Sequence, residues 1–389
     1  MTKNKRHIIT CGVVVLVFAL LSTLCFFGPK AEYSHSERRP LTSFPTLNQK
    51  SISSGAFMEQ FERYAADTFP FREAFRSIKA GSTLAMGQKT NNGIYLHDGY
   101  LSRLEYPMDL DSIFNATEIF RKIYDKHLAD ANTRIYVSVI PDKNAYLAKN
   151  AGQLTMDYTA FEEQVAENMP FATSISILDL LSIEDYYRTD SHWRQEQIVD
   201  VAKHLANSMG TELVSSMYIK DLISATNKDS QPSLPNVEIG YTTNIVNETF
   251  YGVYHGQSAL PIAGEQMYYL TNPIIDQLTV FDHENNREIP VYDVSKTTDK
   301  DPYELFLSGP LSLITLENPM AENDRELVIF RDSYASAIAP LLTAGYSKVT
   351  LVDIRYLPSS QIDKYVTFEN CDVLFLYSTS VLNNSETLK

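Results

Sequence analysis

The stretch LVIFRDSYASAIAPLL, residues 327–342, joins two apolar runs through the polar triplet Arg331, Asp332 and Ser333. The first run predicts a strand over 326–330, and alanine, isoleucine and leucine at helical spacing predict a helix over 334–344. A serine at such a turn lies at the carboxyl end of a strand, where open α/β sheets bind ligands. The stretch therefore predicts an α/β fold with Ser333 as a candidate functional residue.

The same alternation of strand and helix continues on both sides of this stretch. Apolar runs bounded by polar residues or proline predict strands, and apolar residues at helical spacing predict helices. The strands are predicted over 134–141, 175–178, 348–353 and 372–377, and the helices over 159–168, 195–209 and 359–367. This order predicts a parallel sheet with helices on both faces. Residues 222–318 turn polar and then rich in Tyr, Thr and Val, which predicts a mostly β insertion.

The first thirty residues differ in kind from the rest. Three cations precede an uncharged run over 8–27, which at about 1.5 Å per residue spans a hydrocarbon layer of roughly 30 Å. A cleaved signal peptide is the alternative, but bulky Leu24 and Phe27 stand where small residues would be needed. We expect residues 1–30 to form a cytoplasmic tip and a single-pass anchor in the cell membrane, with everything after Lys30 extracytoplasmic.

Charge and cysteine content limit the classes of function. After residue 30 the chain carries 29 Lys and Arg against 48 Asp and Glu, so we expect no nucleic-acid partner and membrane attachment through the helix alone. Cys371 is the single cysteine there, which excludes an intrachain disulfide, and the histidines lack metal-ligand spacing. We predict no metal and no cofactor. Residues 31–50, polar with two prolines, predict a linker before an extracytoplasmic domain over 51–389.

The stretch YYRTDSHW, residues 186–193, sets Asp190, Ser191 and His192 side by side. In an extended segment residues i and i+2 point the same way, so Asp190 and His192 can act together while Ser191 points away. We therefore expect Asp190 to orient His192, and His192 to take a proton from Ser333. Backbone N–H groups near Ser333 would stabilise the oxyanion.

A structural interpretation of these residues stays open at the sequence level. Asp190 could cap the helix that follows it, His192 and Trp193 could pack, and Asp332 with Ser333 could be an ordinary helix cap. The hydrolytic interpretation requires that Ser333 and His192, about 140 residues apart in sequence, meet in space.

Six motifs, in order along the chain, carry a family resemblance. They are FPFREAFRSIKA, YYRTDSHW, FYGVYHGQSA, PYELFLSGPLSLITLEN, LVIFRDSYASAIAPLL and LVDIRYL. Together they resemble the DHHW protein family of Gram-positive bacteria, which is similar to alginate O-acetylation proteins with an SGNH-hydrolase-like domain. The resemblance implies an SGNH-like fold in permuted motif order, with Asp190, His192 and Ser333 as the catalytic residues. Ser191 stands where the family name has its first histidine, outside the three catalytic roles.

The resemblance also implies a function. Acetylation relatives transfer acetyl groups to an exopolysaccharide, so we expect an O-acyl transferase or esterase acting on a cell-envelope or secreted polysaccharide. Because acetyl-coenzyme A is absent outside the cell, a membrane-bound O-acyltransferase is the implied partner. The alternative is a non-catalytic glycan-binding or envelope-assembly protein on the same fold.

Four further residues are candidate substrate contacts. Lys143 and Asn144 follow the strand 134–141, so they also lie at the carboxyl end of a strand. Tyr187 precedes the Asp190 element and could contact a sugar, and Arg331 beside Ser333 could bind an anionic ligand. The structural alternatives are a plain turn for Lys143 and Asn144, a surface position for Tyr187 and an ion pair for Arg331.

Overall fold

The computed structural model describes residues 3–213, 240–299 and 301–389. These residues form two compact units. The first comprises the chain up to residue 92 together with 255–262, and the second comprises 93–254 and 263–389.

The strands are short at the N-terminus and longer in the second unit. They are β1 (Tyr33–Ser34), β2 (Arg39–Pro40), β3 (Thr90–Asn91), β4 (Ile94–His97), β5 (Tyr100–Arg103), β6 (Arg134–Ile140), β7 (Thr173–Ser174), β8 (Thr242–Phe250), β9 (Glu265–Thr271), β10 (Thr279–Asp282), β11 (Arg287–Ile289), β12 (Leu313–Glu317), β13 (Glu326–Arg331), β14 (Lys348–Val352) and β15 (Cys371–Ser378). The α-helices are Lys3–Phe27, Gln49–Ser53, Ala56–Asp67, Arg72–Ala85, Leu110–Ile123, Asn144–Ala151, Tyr158–Asn168, Val199–Ser208, Val253–Ser258, Ala335–Leu342 and Thr379–Leu382.

An eight-stranded sheet organises the second unit, in the order β11-β10-β12-β14-β13-β15-β6-β7. The five strands from β14 to β7 are parallel, and β12, β10 and β11 extend the sheet in antiparallel pairing. From β13 the chain proceeds to β14 on one side and returns as β15 on the other, so the strand order reverses at β13. The predicted α/β class with a mostly parallel sheet and flanking helices is confirmed.

Alternating residues of the central strand explain why it reads as a continuous apolar run. Leu327 and Ile329 of β13 belong to one core cluster, and Val328 and Phe330 belong to a second. All four side chains are at most 2% exposed. Both faces of the sheet are therefore covered, as expected for parallel strands between helical layers.

Two short elements differ from their predictions. The strand predicted over 175–178 is wrong: the strand at this place is Thr173–Ser174, and Ile175 and Ile177, which follow it, bury their side chains in the core outside any strand. The helix predicted over 359–367 is a 3-10 helix, Ser359–Lys364, that follows Pro358. The predicted helix is thus present in a shorter and tighter form, with Ile362 buried, whereas the predicted strand is absent.

The described part of the predicted β insertion contains β8 to β12. β8 and β9 form an antiparallel ribbon of their own, whereas β10 to β12 belong to the main sheet. Residues 222–239 of the predicted insertion lie outside the described residues.

The first unit carries the apolar N-terminal helix. Within it, Lys5–Cys25 is a candidate membrane span of 21 residues, none of it buried against protein. The segment predicted as a linker, 31–50, contains the β1–β2 pair and the start of Gln49–Ser53.

Candidate active site

Ser333 lies in the turn that connects β13 to the helix Ala335–Leu342. Its side chain is partly exposed, whereas the residues on either side of it are buried. Its hydroxyl forms a 2.8 Å hydrogen bond with His192 Nε2. Ser333, at the strand where the order of the sheet reverses, is thus hydrogen-bonded to a histidine 141 residues earlier in the chain.

Of Asp332 and Ser333, which could both have been helix-capping residues, only Asp332 has this structural role. Its carboxylate accepts hydrogen bonds from Tyr334 N at 3.0 Å and from Ser378 N at 2.8 Å, which fixes the turn to the end of β15. The N–H of Ala335 also points back, to the carbonyl of Asp332 at 3.3 Å. The N–H groups of Tyr334 and Ala335, two of those expected to bind an oxyanion, are therefore engaged within the turn.

The stretch 186–193 is a closed loop rather than an extended segment. Its ends pair as an antiparallel bridge between Tyr186 and Trp193, and Tyr187 N donates to the carbonyl of His192 at 3.1 Å. Inside the loop, Asp190 Oδ1 accepts from His192 N at 3.1 Å and contacts His192 Nδ1 at 2.6 Å. The carboxylate of Asp190 is hydrogen-bonded to both the backbone N–H and the ring of His192, two residues later. This arrangement is an Asx-type turn, and it brings the two side chains together.

Asp190, His192 and Ser333 form one hydrogen-bonded line. The carboxylate of Asp190 is fully buried, His192 is 8% exposed, and the line ends at the partly exposed hydroxyl of Ser333. Two further bonds hold the two halves of the site together: Trp193 Nε1 donates to the carbonyl of Tyr334 at 3.0 Å, and Tyr334 Oη donates to the carbonyl of Ser191 at 2.7 Å.

Ser191 lies on the opposite side of the imidazole from Ser333. Its hydroxyl is 3.4 Å from both Asp190 Oδ1 and His192 Nδ1, while Nε2 faces Ser333. A base that accepts a proton at Nε2 has Ser333 within hydrogen-bond distance and Ser191 at the wrong nitrogen. The geometry thus separates the two serines.

Sequence reasoning gave no role to the backbone that holds Asp190. Val253 N donates to Asp190 Oδ2 at 2.7 Å, and Gly252 N donates to the hydroxyl of Thr189 at 3.0 Å. A Cβ at position 252 would lie 2.3 Å from Asp190 Cβ, so only glycine allows this approach. A signal was present in the motif FYGVYHGQSA, because the first of its two glycines is Gly252.

Glu265 at the start of β9 fixes the same loop from another side. Its carboxylate accepts from Arg188 N, Thr189 N and the hydroxyl of Thr189, all at 2.8 Å. Three donors on one carboxylate hold the loop immediately before Asp190. No sequence pattern pointed to Glu265.

Lys143 and Asn144 are both buried, and Lys143 contacts the loop. Lys143 Nζ donates to the carbonyls of Tyr187 and Arg188 at 2.8 and 3.3 Å, and burial lowers the pKa of its ammonium to about 7. Asn144 accepts from Tyr95 Oη at 2.9 Å. Lys143 thus supports the loop from within the protein, Asn144 bonds residues outside the loop, and neither side chain faces solvent.

Tyr187 and Arg331 are also fully buried. The ring of Tyr187 packs edge-on against Phe250, with ring centroids 4.9 Å apart. Arg331 donates to the hydroxyl of Ser336 at 3.1 Å and to the carbonyl of Leu311 at 3.0 Å, and burial lowers the pKa of its guanidinium. In this structure the four candidate substrate contacts lie around the line of Asp190, His192 and Ser333 without opening onto solvent.

The described part of the chain contains no cluster of three or more His, Cys, Asp or Glu side chains arranged to hold a metal ion. The groups that the site offers for chemistry are the carboxylate of Asp190, the imidazole of His192 and the hydroxyl of Ser333.

Comparison of the chain with known proteins gives matches in structure. Neither a model of a protein family nor a curated protein matches the sequence. A DHHW family protein from Eubacterium siraeum matches with a TM-score of 0.57 and 18% identity, covering 77% of this chain and 95% of its own. PatB1 of Bacillus cereus, solved with a sulfonyl adduct, matches with a TM-score of 0.51 and 18% identity, covering 74% and 95%.

A more distant match is the O-acetyltransferase domain of AlgJ from Pseudomonas putida, with a TM-score of 0.42 and 12% identity over 75% of this chain and 92% of that domain. Structural neighbours of the chain thus include a DHHW family protein, in agreement with the resemblance seen in the sequence. At these identities the likeness establishes the fold.

Proposed function

We propose that this chain is a membrane-anchored, extracytoplasmic serine enzyme that transfers or removes an O-acyl group, with acetyl as the simplest case, on a cell-envelope or secreted polysaccharide. The observation that carries the proposal is the hydrogen-bonded line from Asp190 through His192 to Ser333. A buried carboxylate, an imidazole and a partly exposed hydroxyl in this order are the parts of a nucleophilic serine site.

In the first half-reaction Ser333 Oγ attacks the carbonyl carbon of the acyl donor, and His192 Nε2 accepts the hydroxyl proton. The bond between the acyl carbon and the donor oxygen then breaks, and His192 returns the proton to that leaving oxygen. Ser333 is left as an acyl ester. Asp190, bonded to Nδ1, holds the imidazole in the tautomer that leaves Nε2 free to accept.

In the second half-reaction a hydroxyl of the polysaccharide gives its proton to His192 and attacks the acyl carbon. The ester bond to Ser333 breaks, and Ser333 recovers the proton. Water in place of the sugar hydroxyl gives hydrolysis. The sequence resemblance to acetylation proteins favours transfer, and a membrane-bound O-acyltransferase is the proposed source of the acyl group.

Two measurements on the purified full-length chain test the proposal. The first is hydrolysis of an aryl acetate by the wild type, Ser333→Ala and Ser191→Ala. We expect activity in the wild type and in Ser191→Ala, and its loss in Ser333→Ala. Loss in Ser191→Ala with activity retained in Ser333→Ala would reverse the assignment of the nucleophile.

The second measurement is covalent labelling by a sulfonyl fluoride, followed by peptide mass spectrometry. The serine oxygen displaces fluoride from sulfur, and PatB1 of Bacillus cereus has been solved with a sulfonyl adduct. We expect the label on Ser333 and its absence in Ser333→Ala and His192→Gln. A wild-type chain that neither hydrolyses the ester nor takes the label would support the non-catalytic glycan-binding alternative.

A further inference from the structure

The helix Arg72–Ala85 turns apolar side chains outward. Phe71, Phe75 and Ile78 are 68%, 46% and 65% exposed. Their spacing of four and then three residues places them on one stripe of the helix and the turn before it. Large apolar groups exposed in a row mark an interaction surface more often than a solvated one.

Two arginines of the same helix point inward, whereas Glu73 and Lys79 are exposed. The side chains of Arg72 and Arg76 are only 16% and 13% exposed. Arg76 donates to the carbonyls of Gly256 and Gln257 at 2.6 and 3.1 Å, and Arg72 is hydrogen-bonded to Glu37. The inward face of the helix is thus partly held by arginine, and three large apolar side chains lie outside it, whereas the apolar face of a helix in a water-soluble domain normally packs on protein.

The exposed stripe lies beside the end of the candidate membrane span. A cavity of about 780 Å³ is lined by Leu24 and Gly28 from the N-terminal helix and its end, and by Phe69 and Phe71 from the turn before Arg72. Lys30 is also hydrogen-bonded to Tyr64. Leu24 belongs to the candidate span Lys5–Cys25, so Phe71, the first residue of the stripe, shares a cavity with the end of that span.

Charge does not oppose contact of this region with a bilayer. Residues 31–92 carry eight Lys and Arg against six Asp and Glu, whereas residues 93–389 carry 21 against 42. The acidity that led us to expect attachment by the helix alone therefore belongs to the second region. Aromatic side chains on one face of a helix favour the boundary between head groups and acyl chains.

We propose that the face formed by Phe71, Phe75 and Ile78 lies in the lipid head-group region beside the anchor. The first unit would then contact the membrane surface through this face, in addition to the N-terminal helix. The occupant of this face is the outer leaflet of the bilayer. The proposal concerns membrane placement and is independent of the acyl-transfer chemistry at Ser333.

The test uses the full-length chain in nanodiscs of phosphatidylcholine with a minority of phosphatidylglycerol. Cys11, Cys25 and Cys371 are first replaced, and single cysteines at Phe75→Cys, Ile78→Cys or Ser77→Cys carry a nitroxide label. Ser77 is the matched control, since it is exposed and lies about 200° around the same helix from Phe75. Collision rates of the label with oxygen and with a water-soluble nickel chelate report its depth.

We expect the ratio of oxygen to nickel collision rates to be several-fold higher at positions 75 and 78 than at 77. Equal ratios with high nickel access at all three positions would overturn the proposal, since the face would then lie in water. Low access to both reagents at 75 and 78 would also overturn it, because a second copy of the chain covering the face would give that result.

Discussion

Tyr303 stacks flat on His192, with ring centroids 3.8 Å apart and ring planes 9° apart. Tyr334 contacts the same imidazole at 4.7 Å with the rings tilted by 51°. Tyr303 is 4% exposed, and its hydroxyl forms no hydrogen bond with any residue that the structure describes. The contribution of Tyr303 is thus its ring, which fixes the plane of the imidazole between Asp190 and Ser333.

Replacing Tyr303 by Phe is expected to keep the rate of aryl acetate hydrolysis within about twofold of wild type. The stacked ring is retained, and removal of a buried hydroxyl without a partner should raise the free energy of unfolding by up to about 1 kcal/mol. Tyr303→Leu keeps burial but loses the flat contact, and kcat should fall on the order of tenfold because the imidazole is less well oriented.

Steady-state kinetics and urea unfolding of both variants measure these effects. If Tyr303→Phe lost activity as strongly as Tyr303→Leu, the hydroxyl and not the ring would be the contributing group, and the stacking argument would fail.

Gly252→Ala is expected to displace Asp190 and reduce activity as strongly as Asp190→Ala. The requirement at position 252 is one of space, because a methyl group there would lie 2.3 Å from Asp190 Cβ and 2.5 Å from Asp190 N. The expected loss in kcat is on the order of 100-fold, since a shift of about 1 Å in a catalytic group has effects of that size.

Gly81→Ala is the matched control for this glycine. Position 81 lies inside the helix Arg72–Ala85, and apart from the neighbouring backbone of that helix no described atom lies within 4 Å of a Cβ placed there. This variant should keep full activity and gain roughly 0.5–1 kcal/mol in the free energy of unfolding from improved helix propensity. Full activity in Gly252→Ala would show that the backbone around Asp190 can move without cost.

The strands that bear Ser333 and its neighbours could be predicted because each is a run of β-branched and apolar residues buried on both faces. The strand over 326–330 is observed as Glu326–Arg331, and that over 372–377 as Cys371–Ser378. The same signal failed at Ile175 and Ile177, where burial does not extend the ladder. Hydrophobic pattern reports burial directly and strand formation only indirectly.

The predicted pairing of Asp190 with His192 is observed, but the geometry that produces it differs from the one we expected. The expectation rested on alternation in an extended segment, whereas the segment is a loop closed by the bridge between Tyr186 and Trp193. The long-range partners, such as Gly252 and Glu265, could not be predicted because nothing local in sequence specifies which backbone approaches a carboxylate 60 or more residues away.

Lys143→Met is expected to change how stability depends on pH. Burial holds the pKa of the Lys143 ammonium at about 7, below the ordinary value of 10.5. Between these values the unfolded chain binds more protons than the folded chain, so this residue makes stability rise as pH rises. A pKa difference of about 3.5 corresponds to up to about 5 kcal/mol across that window.

Urea unfolding at pH 7 and at pH 10 measures this difference. The wild type should gain more stability than Lys143→Met between the two conditions. The variant removes the hydrogen bond from Lys143 to the carbonyl of Tyr187, while the carbonyl of Arg188 keeps its bond from Leu101 N at 2.8 Å, so it should also be less active at both pH values. Parallel pH dependence of unfolding in the two proteins would contradict the lowered pKa.

Glu105→Gln is expected to act in the opposite direction. Glu105 is 6% exposed, and burial together with the nearby Asp142 raises the pKa of its carboxyl to about 7, from an ordinary value of 4.5. Between these values the folded chain binds more protons than the unfolded chain, so Glu105 makes stability fall as pH rises, by up to about 3 kcal/mol.

The amide that replaces the carboxyl cannot ionise, so the variant should lose less stability than the wild type between pH 4.5 and 7 in urea unfolding. An equal loss in the two would mean that Glu105 is ionised in the folded chain at an ordinary pKa.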